Sequence, residues 1–71
     1  MFQVVVIYPG YDRNKDARIH KAAKRASLGS GYGFGERDIC FEFKTEVGAK
    51  ACSSRIRKAR ISGVEVEVNE D

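Results

Sequence analysis

An α+β fold, a four-stranded antiparallel sheet with two helices on one face, is predicted by three observations. A β-branched run opens the chain, two segments of helical period lie between extended segments, and the remaining extended segments alternate with period two. The resulting order is β-α-β-β-α-β.

The first strand is Phe2 to Tyr8 (FQVVVIY), ended by Pro9-Gly10. Val4, Val5, Val6 and Ile7 are apolar on both parities, so the strand should be central and covered on both faces. Asp12 or Asn14 then caps a helix to about Ser27. At about 100° per residue, Ile19, Ala22, Ala23 and Ala26 form its apolar stripe, opposite Arg18, Lys21, Lys24 and Arg25.

The next segment, Gly29 to Gly35, has glycine at every second position, with Ser30, Tyr32 and Phe34 between. As a strand it has one bare face, and a bare face invites the close approach of another backbone. Gly35-Glu36-Arg37 is expected to turn it into Asp38 to Lys44, where Ile39, Phe41 and Phe43 mark the buried face. Thr45 caps a second helix to about Arg60, with Ala49, Cys52, Ile56 and Ala59 on its inner stripe and Gly63 beyond its end. Val64 to Val68 alternates valine with glutamate and reads as a strand with one wet face. With right-handed crossovers this order gives a ferredoxin-like sheet, strand order 4-1-3-2, as a single domain over residues 1–71.

In a chain of 71 residues no deep substrate cleft is expected. Its 42% hydrophobic and 32% charged residues are the balance of an ordered globular protein. Cys40 and Cys52 are too few for a disulfide framework, and the N-terminus lacks the pattern of a secretory signal, so a cytoplasmic protein with reduced thiols is expected. The longest apolar run, Val4 to Tyr8, is far below the roughly 20 residues of a membrane span, and no membrane partner is expected.

The glycine stretch does not fit phosphate-loop spacing, lacks a following Gly-Lys-Ser/Thr and precedes a strand, where anion binding needs a helix N-terminus. Gly31-Tyr32-Gly33-Phe34 resembles the centre of the RNP1 signature of RNA-recognition motif proteins, which share the βαββαβ layout and stack bases on sheet aromatics. The likeness covers four residues and the topology. Ser30, Gly35 and Arg37 depart from the signature, the match falls in the second strand where that family has it in the third, and Pro9 interrupts an RNP2 reading of Ile7-Tyr8. Glu42, Glu65 and Glu67 also fall on the open sheet face, where carboxylates repel a phosphate chain. The same face carries Cys40 and half of the first strand's apolar residues, which makes it a candidate for a weak homodimer.

Catalytic constellations are thin. His20 borders the apolar stripe of the first helix and reads as structural; Cys52 lies on an inner stripe; Cys40 has no sequence-local base. His20 and the two cysteines show no zinc spacing, and neither metal nor cofactor is expected. The strongest signal is charge: the net charge of +3 conceals two basic blocks, one holding Arg18, Lys21, Lys24 and Arg25, the other running from Lys50 to Arg60 without an acid. A solvated helix face is the plain explanation, but unpaired like charges cost stability, and their clustering points to an anionic partner.

The expected function is therefore a small non-catalytic binding protein, regulatory or inhibitory in the manner of small phage-encoded inhibitors. Its partner is expected to be a larger protein or nucleoprotein complex with an acidic surface, met by Arg18, Lys21, Lys24, Arg25, Lys50 and Arg57 and, at an exposed sheet edge, by Tyr32 and Phe34. The alternatives are direct RNA or DNA binding by the basic helices, and a small-ligand regulatory module on a dimerised sheet. Fold analogy does not choose among them.

Overall fold

The computed structural model describes residues 1–70. Its elements are β1 (Phe2–Pro9), α1 (Arg13–Ala23), β2 (Gly29–Gly33), β3 (Glu36–Phe43), α2 (Glu46–Lys58) and β4 (Glu65–Glu70). They form one antiparallel sheet in the order β2-β3-β1-β4, the ferredoxin-like arrangement. The apolar run of β1 takes the central place its composition requires, but the expected cover on both faces is not made, because both helices pack on one side of the sheet. Val4, Val6 and Tyr8 are fully buried beneath the helices, and Val5 and Ile7 lie half-buried on the other face.

Register explains the core. Val4 sits between Phe41 and Val68, and Val6 between Ile39 and Val66, so the inward residues of three strands meet Ile19 and Ala23 of α1 and Ala49, Cys52 and Ile56 of α2. Each large side chain fully buried there contributes about 1.5–3 kcal/mol relative to exposure.

Both helices begin on side-chain caps. The Asp12 carboxylate accepts from the backbone N–H of Asn14 at 2.8 Å and of Lys15 at 3.2 Å, and the Thr45 hydroxyl accepts from that of Gly48 at 3.1 Å. α1 ends at Ala23, short of the expected Ser27. Lys24 turns left-handed (φ 60°) and its N–H bonds the His20 carbonyl, the closure that glycine usually provides. The turn sends Arg25 away from the helix: its guanidinium lies 4.2 Å from the Phe43 ring centroid and donates to the Glu42 carbonyl at 2.6 Å. α2 ends at Lys58, Arg60 turns left-handed (φ 52°), and Ile61 drops back into the core.

The β2–β3 turn is Phe34-Gly35, with φ of 53° and 77°, one residue earlier than expected. Two successive left-handed residues make the two-residue turn whose twist suits a hairpin, which releases Glu36 and Arg37 into β3. The Gly10 N–H donates to the Gly35 carbonyl at 2.7 Å and ties the turn to the end of β1. Gly29, Gly31 and Gly33 do put a bare face on the open side of the sheet, opposite Cys40, Asp38 and Glu36. The expected close approach is not made within the chain: a Cβ on Gly33 would have no neighbour within 4 Å, and one on Gly31 would meet the Asp38 carboxylate at 2.8 Å.

Candidate functional site

Where α1 and α2 lie side by side, small residues at Ala22 and Ala59 leave a groove of ≈ 510 Å³, walled by Arg18, Lys21, Lys24, Arg55 and Lys58. No acidic residue lines it. Arg55 donates from Nε to the Ala22 carbonyl and from Nη2 to the Ala23 carbonyl, each at 3.0 Å, satisfying the last carbonyls of α1. Arg18 does the reciprocal, donating from Nη2 to the Ala59 carbonyl at 3.2 Å. Two guanidiniums thus lock the helices together and keep their charge on the groove wall, while the exposed lysines complete the rim.

A second groove of ≈ 670 Å³ runs between α2 and β4, lined by Lys50, Ser53, Ser54, Arg57, Lys58, Arg60 and Val68. Arg57 donates from Nη2 to the Val66 carbonyl at 2.9 Å, and Lys50 makes an exposed pair with Glu46 at 3.3 Å, a contact worth little in solvent. Ser53 is 3% exposed, and its hydroxyl has no hydrogen-bond partner among the described residues. Lys58 belongs to both grooves.

The candidate residues other than Arg25 therefore separate into three places. Arg18, Lys21 and Lys24 share the inter-helix groove, with Arg55 and Lys58 added by the structure. Lys50 and Arg57 line the α2–β4 groove. Arg25 lies in neither. Tyr32 and Phe34 stand across the molecule, at the free edge of β2, around a hollow of ≈ 300 Å³ shared with Ile7 and Asp38.

The sequence reading missed a polar cluster inside the fold. Arg37 is in phase with Ile39, Phe41 and Phe43, so it points under the helices, where its Nη2 donates to Asp16 Oδ2 at 2.6 Å and its Nε to the same oxygen at 3.1 Å. The Tyr8 hydroxyl donates to Asp16 Oδ1 and receives the Asp12 backbone N–H at 3.3 Å. The Arg37 guanidinium carbon also lies 5.1 Å from the Tyr11 ring centroid, and Tyr11 meets Tyr32 edge-on at 6.3 Å. Burial alone would raise the Asp16 carboxyl, but the hydrogen bonds from Arg37 and Tyr8 and the charge of Arg37 hold it below the ordinary carboxylate value. Burial, then the bond to Asp16, pushes the Tyr8 hydroxyl up, and the bond to Asp16 raises Arg37. With the Asp16 and Arg37 charges meeting each other, the cluster fastens α1 to the sheet.

His20 is half-buried against the edge of Phe41. Its Nδ1 lies 2.9 Å from the Asp16 carbonyl, which can only accept, so Nδ1 carries a proton; Nε2 is 3.2 Å from the Ser27 hydroxyl. Cys52 is fully buried, and burial pushes its thiol up. On the open sheet face, Val5 and Ile7 lie between Cys40 and Asp38 on one side and Glu67 and Glu65 on the other. Among the described residues, no helix is long and apolar enough to cross a membrane.

Protein-family models, curated proteins and solved structures yield no match to this chain.

Proposed function

We propose that this chain is a non-catalytic binding protein that docks, through the groove between α1 and α2, an acidic segment of a larger protein. The observation that carries this reading is the groove itself: five cations, no acid, and a floor of Ala22 and Ala59. An apolar floor inside a cationic rim suits a segment in which carboxylates alternate with apolar side chains, because the carboxylates meet the rim while the apolar groups leave water. The groove offers no aromatic platform for bases, since Tyr32 and Phe34 lie at the far edge of the sheet. A regulatory or inhibitory role follows from occupying such a segment.

Direct RNA or DNA binding is the second reading, and one observation favours it. Lys58 joins the two grooves, so cations run without interruption from Lys21 across α2 to Lys50. A phosphate backbone could follow that track.

Fluorescence anisotropy separates the two, with a labelled peptide alternating glutamate and leucine as one probe and a single-stranded RNA of mixed sequence as the other. The protein reading expects saturable binding of the peptide, lost when Lys21, Lys24 and Lys58 are all changed to Glu while circular dichroism still reports a folded chain. Binding of the RNA alone, falling steeply with salt, replaces the first reading with the second. Binding of neither probe removes the groove as the site.

A further inference from the structure

Of the six large apolar side chains that stand exposed, four crowd one edge of the sheet: Tyr11 (57%), Leu28 (61%), Tyr32 (59%) and Phe34 (108%). They surround β2, whose outer side has no strand beside it. The two sheet edges differ in their chemistry. β4 carries Glu65, Glu67 and Glu70, carboxylates that discourage a further strand, whereas β2 (GSGYG) has no charge and no proline to do so.

The hairpin fixes which backbone groups are free. A two-residue turn makes Gly33 and Glu36 a hydrogen-bonded pair, and alternation gives the same role to Gly31 with Asp38 and Gly29 with Cys40. The N–H and C=O groups of Ser30 and Tyr32 therefore point outward, away from β3.

We infer that the outer edge of β2 pairs antiparallel with β2 of a second copy of this chain, about a two-fold axis at Gly31, making one continuous sheet. Ser30 exchanges both backbone hydrogen bonds with the partner's Tyr32, and Tyr32 with the partner's Ser30. Beyond the strand ends the same two-fold brings Leu28, at the bend where its N–H donates to the Cys40 carbonyl at 2.8 Å, beside the partner's Phe34 in its turn, so the two most exposed apolar groups of the edge cover one another, and Tyr32 and Tyr11 lie near the middle. The register follows from self-complementarity: the outward pattern at residues 30 and 32 and the apolar residues at 28 and 34 are both symmetric about residue 31. The bare glycine face lets the two strands lie flat against each other.

Phe34 supplies a second, independent observation. It adopts φ 53° at the first turn position, where Asn is favoured and a bulky side chain is strained, and it is wholly exposed. Water and backbone geometry both disfavour Phe there, so what favours it lies outside the chain. The other candidate for self-association, the open sheet face, would bring Asp38, Glu42, Glu65 and Glu67 against their own copies. No residue of the inter-helix groove takes part in the edge pairing, so the two surfaces act separately.

Sedimentation velocity across a dilution series of the full chain tests this. The wild type is expected to pass from monomer to dimer. Phe34→Asn should keep the hairpin and weaken dimerisation by about tenfold or more, because two symmetric cross-strand pairs are lost together. Ser30→Pro, which removes an outward N–H and no β2–β3 bond, should leave a folded monomer by circular dichroism. Leu28→Lys or Phe34→Glu alone should weaken the dimer, and the two combined should restore it, since each new charge then faces its opposite across the axis. A wild type that remains monomeric at about millimolar concentration, a dimer indifferent to Phe34→Asn and Ser30→Pro, or a double variant weaker than both singles overturns the pairing.

Discussion

Arg37 of β3 and Asp16 of α1, 21 residues apart in the chain, meet with 15% and 12% of their side chains exposed, joined by a bond of 2.6 Å from Nη2 to Oδ2. This is the only ion pair among the described residues that is withdrawn from water, since Lys50 and Glu46 are largely solvated. Its geometry makes the fold sensitive to the loss of either member.

Replacing Asp16 by Asn, or Arg37 by Met, should destabilise the protein by about 3 kcal/mol, because each leaves a buried charge without its counterpart. The double variant should cost clearly less than the sum of the singles. Urea denaturation of the four proteins completes the cycle; strict additivity would mean that the two groups do not stabilise each other.

The same pair sets the acid limb of stability. The Asp16 carboxyl is held below its unfolded value, so its contribution is fully present above about pH 4 and is lost as pH falls through the folded value, where the native carboxylate takes up a proton. The Tyr8 hydroxyl is raised, so its contribution is present below about pH 10 and declines as pH rises toward the folded value, because the unfolded chain ionises first. Melting temperature against pH should fall at both ends. Asp16→Asn should flatten the acid limb, and Tyr8→Phe the alkaline one.

Lys24 should separate folding from binding. Its left-handed conformation favours glycine, so Lys24→Gly is expected to raise stability by about 0.5–1 kcal/mol while removing one cation from the groove wall. Thermal melts and peptide anisotropy should therefore move in opposite senses.

Gly33 should tolerate a side chain. A Cβ there meets nothing within 4 Å, so Gly33→Val is expected to leave stability unchanged or raise it by up to about 1 kcal/mol. A drop in melting temperature would point to an approach to this strand that the isolated chain does not contain.

The layout was legible where one periodicity dominated. β1 announced its central place by apolar residues on both parities, and the glutamates of β4 announced its wet face. Boundaries without a glycine were not legible: nothing around Lys24 signals a stop, and Ala26 continues the apolar stripe, yet the chain turns there so that Arg25 can cover Phe43. The cationic stripe of α1 was visible as Arg18, Lys21 and Lys24, but the contribution of Arg55 and Lys58 depends on how the helices lie together, which no local pattern encodes. The buried cluster left a signal that was passed over. Asp16 shares the helical face of Ile19 and Ala23, and Arg37 shares the parity of Ile39 and Phe41, so each was an ionisable group in phase with a core.

The layering of charge has a consequence for how the molecule meets an anionic body. The helix side presents the cations of both grooves, and the opposite face presents Asp38, Glu42, Glu65 and Glu67. The protein is an electric dipole whose axis runs through the sheet. In the field of an anionic body it is turned before contact, so a larger share of collisions begin helix side first than random tumbling would give. Salt shortens the range of that alignment to about 8 Å at physiological strength, which makes the rate of such encounters sensitive to ionic conditions.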